Sequence, residues 1–135
     1  MKIQRNGQAE VLSDEQLQEL FSVLSPADRL LFGICYYTSC RIGEALQLRR
    51  EDIVGERLVF RAKTTKTRKT REVKISTKLA EFLLESELPS SGYLFPGKEG
   101  KHRTRQSADL ALRKPCDDIG LKGKHYADPV ESFWF

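Results

Sequence analysis

Thr38-Ser39-Cys40-Arg41-Ile42-Gly43-Glu44-Ala45-Leu46-Gln47-Leu48, running on to Asp52-Ile53, is the stretch around which the chain is organised. It follows an apolar run, Leu30 to Thr38, and sets one arginine at the start of an amphipathic helix. Ala45 and Leu48 follow Arg41 at helical spacing, which gives that helix its apolar face. The helix dipole opposes a cation at this end. Glu44, three residues on, shares the face and can orient the arginine. An arginine held there at a cost is suited to gripping an anion. The alternative is a partly buried Arg41–Glu44 salt bridge, and the spacing leaves both open.

The stretch resembles the first arginine motif of the tyrosine recombinases (the phage integrase family), which reads roughly T-G-x-R-x-x-E-x-x-x-L-x-x-x-D-h. The matches are Thr38, Arg41, Glu44, Leu48, Asp52 and Ile53. The departure is Ser39, where the family usually has glycine. The resemblance covers roughly residues 11 to 123. It implies an α+β fold, mainly α-helical with a small antiparallel sheet of about three strands, as an incomplete integrase-like catalytic domain. Residues 1–123 would be the N-terminal part of that domain and residues 124–135 an atypical tail.

The length suits a single domain with its own core. Hydrophobic content of 39% and charged content of 31% fit a soluble globular protein. The net charge of +4 is compatible with a polyanionic partner without requiring one. The local distribution says more. Between Arg61 and Lys74 stand seven basic residues and one acid, Glu72. Cys35, Cys40 and Cys116 form no Cys-x-x-Cys pair and have no histidine at metal-binding spacing, so no metal is expected. Cys35 and Cys40 sit in apolar surroundings suited to core packing. An odd cysteine count without a framework suits a reducing compartment. Met1 to Glu10 carries no apolar stretch of the signal-peptide kind, and Leu30 to Tyr37 is too short to span a bilayer. The expectation is a cytoplasmic protein without membrane contact.

In chain order, Met1 to Val11 reads as a polar lead-in. Ser13 with Gln16 forms a capping box for a helix carrying Leu17, Leu20, Phe21 and Leu24. Ser25-Pro26 opens a second helix, to about Thr38. A third runs from about Arg41 to Leu48. Leu58 to Phe60 and Glu72 to Ile75 read as two strands of a hairpin with a long charged tip. Ser76 caps a helix with Leu79, Phe82 and Leu83 inward. Tyr93 to Pro96 suits a short edge strand ending at proline. Gly97 to Arg105 is a polar basic loop. A helix follows from about Thr104 to Ile119, and Pro115 is expected to kink or interrupt it.

The resemblance also implies chemistry. Family members transfer DNA strands without metal or other cofactor, through a covalent phosphotyrosine. Two arginines hold the non-bridging oxygens, and a hairpin lysine protonates the leaving 5′ oxygen. A planar, permanently charged guanidinium suits a two-point grip on phosphate, and fixed donors aimed at developing charge are usually the largest catalytic effect. Arg41 takes the first arginine's place and Glu44 the supporting acid's. Lys66 fits the hairpin lysine in the register K-x-x-K-x-R-x-V-P-h, with Lys63 as the fallback. Lys63, Arg68, Lys69 and Arg71 on the hairpin, and Lys101, Arg103 and Arg105 in the second basic cluster, are the expected contacts to double-stranded DNA. A solvated tip is the alternative for these cations. Leu94-Phe95-Pro96 looks like a structural family segment.

The family continues with H-x-x-R, a further histidine or tryptophan, and the tyrosine nucleophile. Here His125 is followed at +3 by Asp128, and no arginine follows Arg113. Tyr36 and Tyr37 precede Arg41, Tyr93 belongs to the L-F-P segment, and Tyr126 comes too early. The expectation is the front half of a strand-transfer site, from a truncated or frame-shifted gene or a cut chain, that binds DNA without cutting it. The alternatives are a regulatory module pairing with other recombinase protomers, and an inert product.

Overall fold

The computed structural model describes residues 13–64 and 68–118, without the side chains of 14, 64 and 116–118. Lys66, Tyr126, His125 and the 124–135 tail therefore lie outside the described residues.

The helices begin where the sequence supplies oxygen caps. Helix α1, Asp14–Val23, opens on Ser13, whose Oγ accepts the Gln16 N–H at 3.1 Å. The Gln16 Oε1 accepts the Ser13 N–H at 2.9 Å in return. Helix α2, Pro26–Thr38, is capped by Ser25 Oγ on the Asp28 N–H, with proline in the first turn. Leu30 to Cys35 are all buried, so this stretch of α2 is apolar all round and makes α2 the central helix. Helix α4, Thr77–Glu85, is capped by Ser76 and packs Leu79 and Phe82 on α2. A Cβ added at Gly33 would lie 2.6 Å from the Phe82 ring, so glycine permits this close crossing.

Helix α3 is shorter than the spacing predicts. It spans Ile42–Leu46, with Arg41 as N-cap and Gln47 closing the turn. Leu48 is still buried, but in the extended exit from the helix. A 3-10 turn, Arg50–Asp52, leads into the sheet.

The sheet has three antiparallel strands in the order β1-β2-β3: β1 Ile53–Val54, β2 Arg57–Phe60 and β3 Arg71–Lys74. In β2–β3 the register pairs Arg57 with Lys74 and Phe60 with Arg71. The third strand is therefore β1 rather than Tyr93 to Pro96. Gly55, at φ +61°, permits the two-residue turn that folds β1 onto β2. Tyr93 makes only an isolated bridge to Arg49, and Leu94 donates its N–H to the Leu48 carbonyl at 3.0 Å.

Residues 97–103 form a tight turn rather than an open loop. Lys101 N–H reaches the Lys98 carbonyl at 3.0 Å, and Gly97 N–H reaches the Lys101 carbonyl at 2.7 Å. Glu99 and Gly100 both have positive φ. Helix α5, Arg105–Asp118, contains Pro115 without being interrupted. Proline has no N–H to give the Ala111 carbonyl, so the helix passes through this position with one backbone bond fewer.

Candidate functional site

The turn between α2 and α3 builds the site. Thr38 ends α2 buried, with its hydroxyl donating to the Ile34 carbonyl at 2.7 Å. Ser39 then adopts φ 60° and ψ 26°, the left-handed region. That conformation explains why glycine is favoured there, since a side chain in it costs about 1 kcal/mol. Ser39→Gly is accordingly expected to raise stability by about 0.5–1 kcal/mol. The measurement is the urea midpoint; a lower midpoint would contradict the left-handed turn.

Ser39 turns the chain back so that Cys40 meets Cys35, both buried. The Cys35 thiol's bond to Cys40, with burial, pushes its pKa well above the usual thiol range. The same bond lowers the pKa of Cys40 against its burial.

Arg41 follows, exposed, as the N-cap of α3. Its N–H donates to Glu44 Oε1 at 3.0 Å. Glu44 does not form a side-chain bridge to Arg41, the alternative that the spacing leaves open. Its Oε1 lies 3.6 Å from Nη2 of Arg71. The acid fixes the Arg41 backbone and takes its ion pair from the hairpin, so the Arg41 side chain is left outside that pairing. The Arg71 guanidinium also lies over the Phe60 ring, 4.8 Å from its centroid.

The rest of the motif is structural. Leu48 is in the core. Asp52 is buried, and its Oδ2 accepts the Arg49 N–H at 2.9 Å. The same oxygen faces Nε of Arg61 at 3.3 Å, while Arg61 Nη2 donates to the Gln47 carbonyl at 2.9 Å. Arg61 thus rivets β2 to the end of α3. Sequence reasoning passed over this role, because Arg61 stands in a basic run and its acid lies outside that run. It also missed Arg49, which stacks 4.5 Å above Tyr93. The edge of the His102 ring meets Tyr93, with centroids 5.4 Å apart.

On the hairpin, Lys63, Arg68 and Lys69 are exposed, with Lys63 on the 3-10 turn Ala62–Thr64 and Arg68 at φ +60°. The second cluster divides. Lys101 and Arg105 are exposed. Arg103 is committed: its Nη1 lies 2.6 Å from Asp28 Oδ1, and its Nε donates to Ser107 Oγ at 3.0 Å. Asp28 is in the first turn of α2, whereas Arg41 follows the last. Ten residues of helix, about 15 Å, separate the two ends. The structure therefore brings Arg41, Glu44 and Arg71 together and anchors the second cluster at the opposite end of α2. Among the described residues, no helix is long and apolar enough to cross a membrane.

The family model described as "Phage integrase family" matches residues 10–129. A Sinorhizobium fredii protein named as an integrase/recombinase is 34% identical over 111 residues, covering 79% of this chain and 36% of its own length. The integrase of Escherichia phage P2 is 33% identical over 85 residues, covering 63% of this chain and 24% of its own. Among solved structures, the XerH site-specific recombinase bound to its difH substrate, in a pre-cleavage complex, superposes with a TM-score of 0.64. That likeness covers 94% of this chain and 42% of the other at 21% identity, and it bears on the fold alone. The chain thus spans well under half the length of the curated relatives described here.

Proposed function

The chain belongs to the phage integrase family, and from that premise we propose that it is a DNA-binding part of the catalytic domain of a site-specific tyrosine recombinase. The observation that carries the reading is the Arg41 turn. Glu44 holds the backbone of Arg41 and leaves its exposed guanidinium outside the acid's ion pair. A two-point donor on a fixed backbone is what a phosphate oxygen pair requires. Lys66 would deliver a proton to the leaving 5′ oxygen, with Lys63 as the alternative on the same hairpin. Lys63, Arg68, Lys69, Lys101 and Arg105 would meet further phosphates.

These 135 residues hold no H-x-x-R after Gly120 and no tyrosine in the nucleophile's pattern. Strand cleavage is therefore expected only where another segment or protomer supplies those groups. Pairing with other recombinase protomers, and a cytoplasmic location beside the DNA, belong to the same proposal.

The test is binding to a generic duplex across a salt series, for wild type and Lys66→Ala/Lys69→Ala. Each lost phosphate contact should flatten the slope of log affinity against log salt by about 0.9. The expected result is a steep slope for wild type and one shallower by about 1–2 for the variant. Equal slopes would remove the hairpin from the interface. No binding at low salt would defeat the DNA-binding reading itself.

A further inference from the structure

Two ties join the β2–β3 hairpin to α3. Arg61 donates to the carbonyl of Gln47, the C-cap of the helix. Arg71 pairs with Glu44, the middle residue of the helix and the same acid that accepts the Arg41 N–H. Arg71 is the first residue of β3 and faces Phe60 across the strands. Phe60 is fully buried, so the ring beneath the Arg71 guanidinium is fixed in the core. The guanidinium, on a side chain that is itself 42% exposed, therefore lies between a core ring and a carboxylate whose side chain is only 11% exposed. Held by ring and carboxylate together, the cation has the geometry to fix one segment against another.

We propose that Arg71 is a positioning residue that sets the returning strand of the hairpin against the Arg41 turn through Glu44, rather than a DNA contact. The sequence alone places it with the phosphate-binding cations. The proposal rests on the reading of Arg41 as a phosphate grip. It adds that the grip and the hairpin are held in one spatial register by a single ion pair.

The experiment is a duplex-binding salt series on the full chain for wild type, Arg71→Gln, Arg71→Lys, Glu44→Gln, Arg41→Ala and the doubles Arg71→Gln/Glu44→Gln and Arg71→Gln/Arg41→Ala. Amide exchange of the free proteins runs in parallel. Arg71→Gln should weaken binding about tenfold with its salt slope unchanged, because no phosphate contact is lost. Arg71→Lys should recover most of that loss. In the Glu44→Gln background, Arg71→Gln should add less than about twofold, as members of one network do. The loss caused by Arg41→Ala should shrink when Arg71 is already Gln; a merely structural role would leave the two losses additive.

A slope flattened by about one unit, equally in both backgrounds, would make Arg71 a direct phosphate contact and overturn the proposal. If wild type binds no duplex, the functional reading fails while the coupling remains measurable. Arg71→Gln should then still speed exchange several-fold at the Arg41 amide and at residues 72–74, with α4 unchanged. Unchanged exchange there would overturn the coupling.

Discussion

Replacing Asp52 by alanine is expected to destabilise the fold by about 3 kcal/mol, although no part of Asp52 is proposed to touch DNA. One carboxylate oxygen accepts the Arg49 N–H and faces the Arg61 guanidinium at 3.3 Å, and the side chain is only 8% exposed. Losing the backbone acceptor at the start of the 3-10 turn costs about 1 kcal/mol, as for a helix cap. The larger part comes from Arg61, left without its carboxylate. Breaking a buried pair from one side costs about 3–5 kcal/mol. The Arg61 side chain is 27% exposed, so solvent relieves some of that cost.

Asn at the same position keeps an acceptor but not the charge, and should lose about half as much. Asp52→Ala and Arg61→Ala combined should cost less than the sum of the two single losses, since the two side chains share one ion pair. Urea unfolding at constant salt reads all of these variants. An Asp52→Ala midpoint indistinguishable from wild type would mean that the pair holds nothing. The same result would remove the reason for an aspartate at that place in the motif.

The elements most legible in the sequence are those with local signals. Ser13 with Gln16, Ser25 with Pro26, and Ser76 each announce a helix within four residues, and the apolar period carries it onward. The hairpin was legible because strand periodicity flanks a polar tip. The short strand Ile53–Val54 was not, since two residues have no period; Tyr93 to Pro96 looked more strand-like by composition. The site shows the same division. Arg41 and Glu44 are marked by the resemblance to the family motif, their spacing alone leaving a salt bridge between them equally open. Arg61, Arg71 and Arg103 all stand in basic stretches and read as solvated or DNA-facing charge. Each is paired with an acid outside its own run, Asp52, Glu44 and Asp28 respectively. A count of nearby charges cannot reveal a partner that only the fold brings close. The two basic clusters are therefore less cationic toward a ligand than their composition implies.

Arg41→Ala separates function from folding most sharply. Arg41 is exposed, and what the structure uses of it is the backbone: extended φ and ψ at the N-cap, and an N–H bonded to Glu44. Alanine keeps both. The guanidinium itself sits at the unfavourable end of a helix dipole, so its removal should leave stability within about 0.5 kcal/mol of wild type. Duplex affinity should fall by about tenfold to a hundredfold, or roughly 1.4–2.7 kcal/mol, with the salt slope flatter by about one unit.

Lysine at position 41 should restore the slope, because it restores a charge. It should restore only part of the affinity, because an ammonium lacks the planar fork that meets two oxygens together. Calorimetric unfolding beside the salt series checks both halves. If Arg41→Ala lowers stability by more than about 1 kcal/mol while the slope stays fixed, the side chain serves the fold and the phosphate-grip reading is lost. Unchanged stability with a flatter slope would instead identify Arg41 as a group kept at this turn for its ligand.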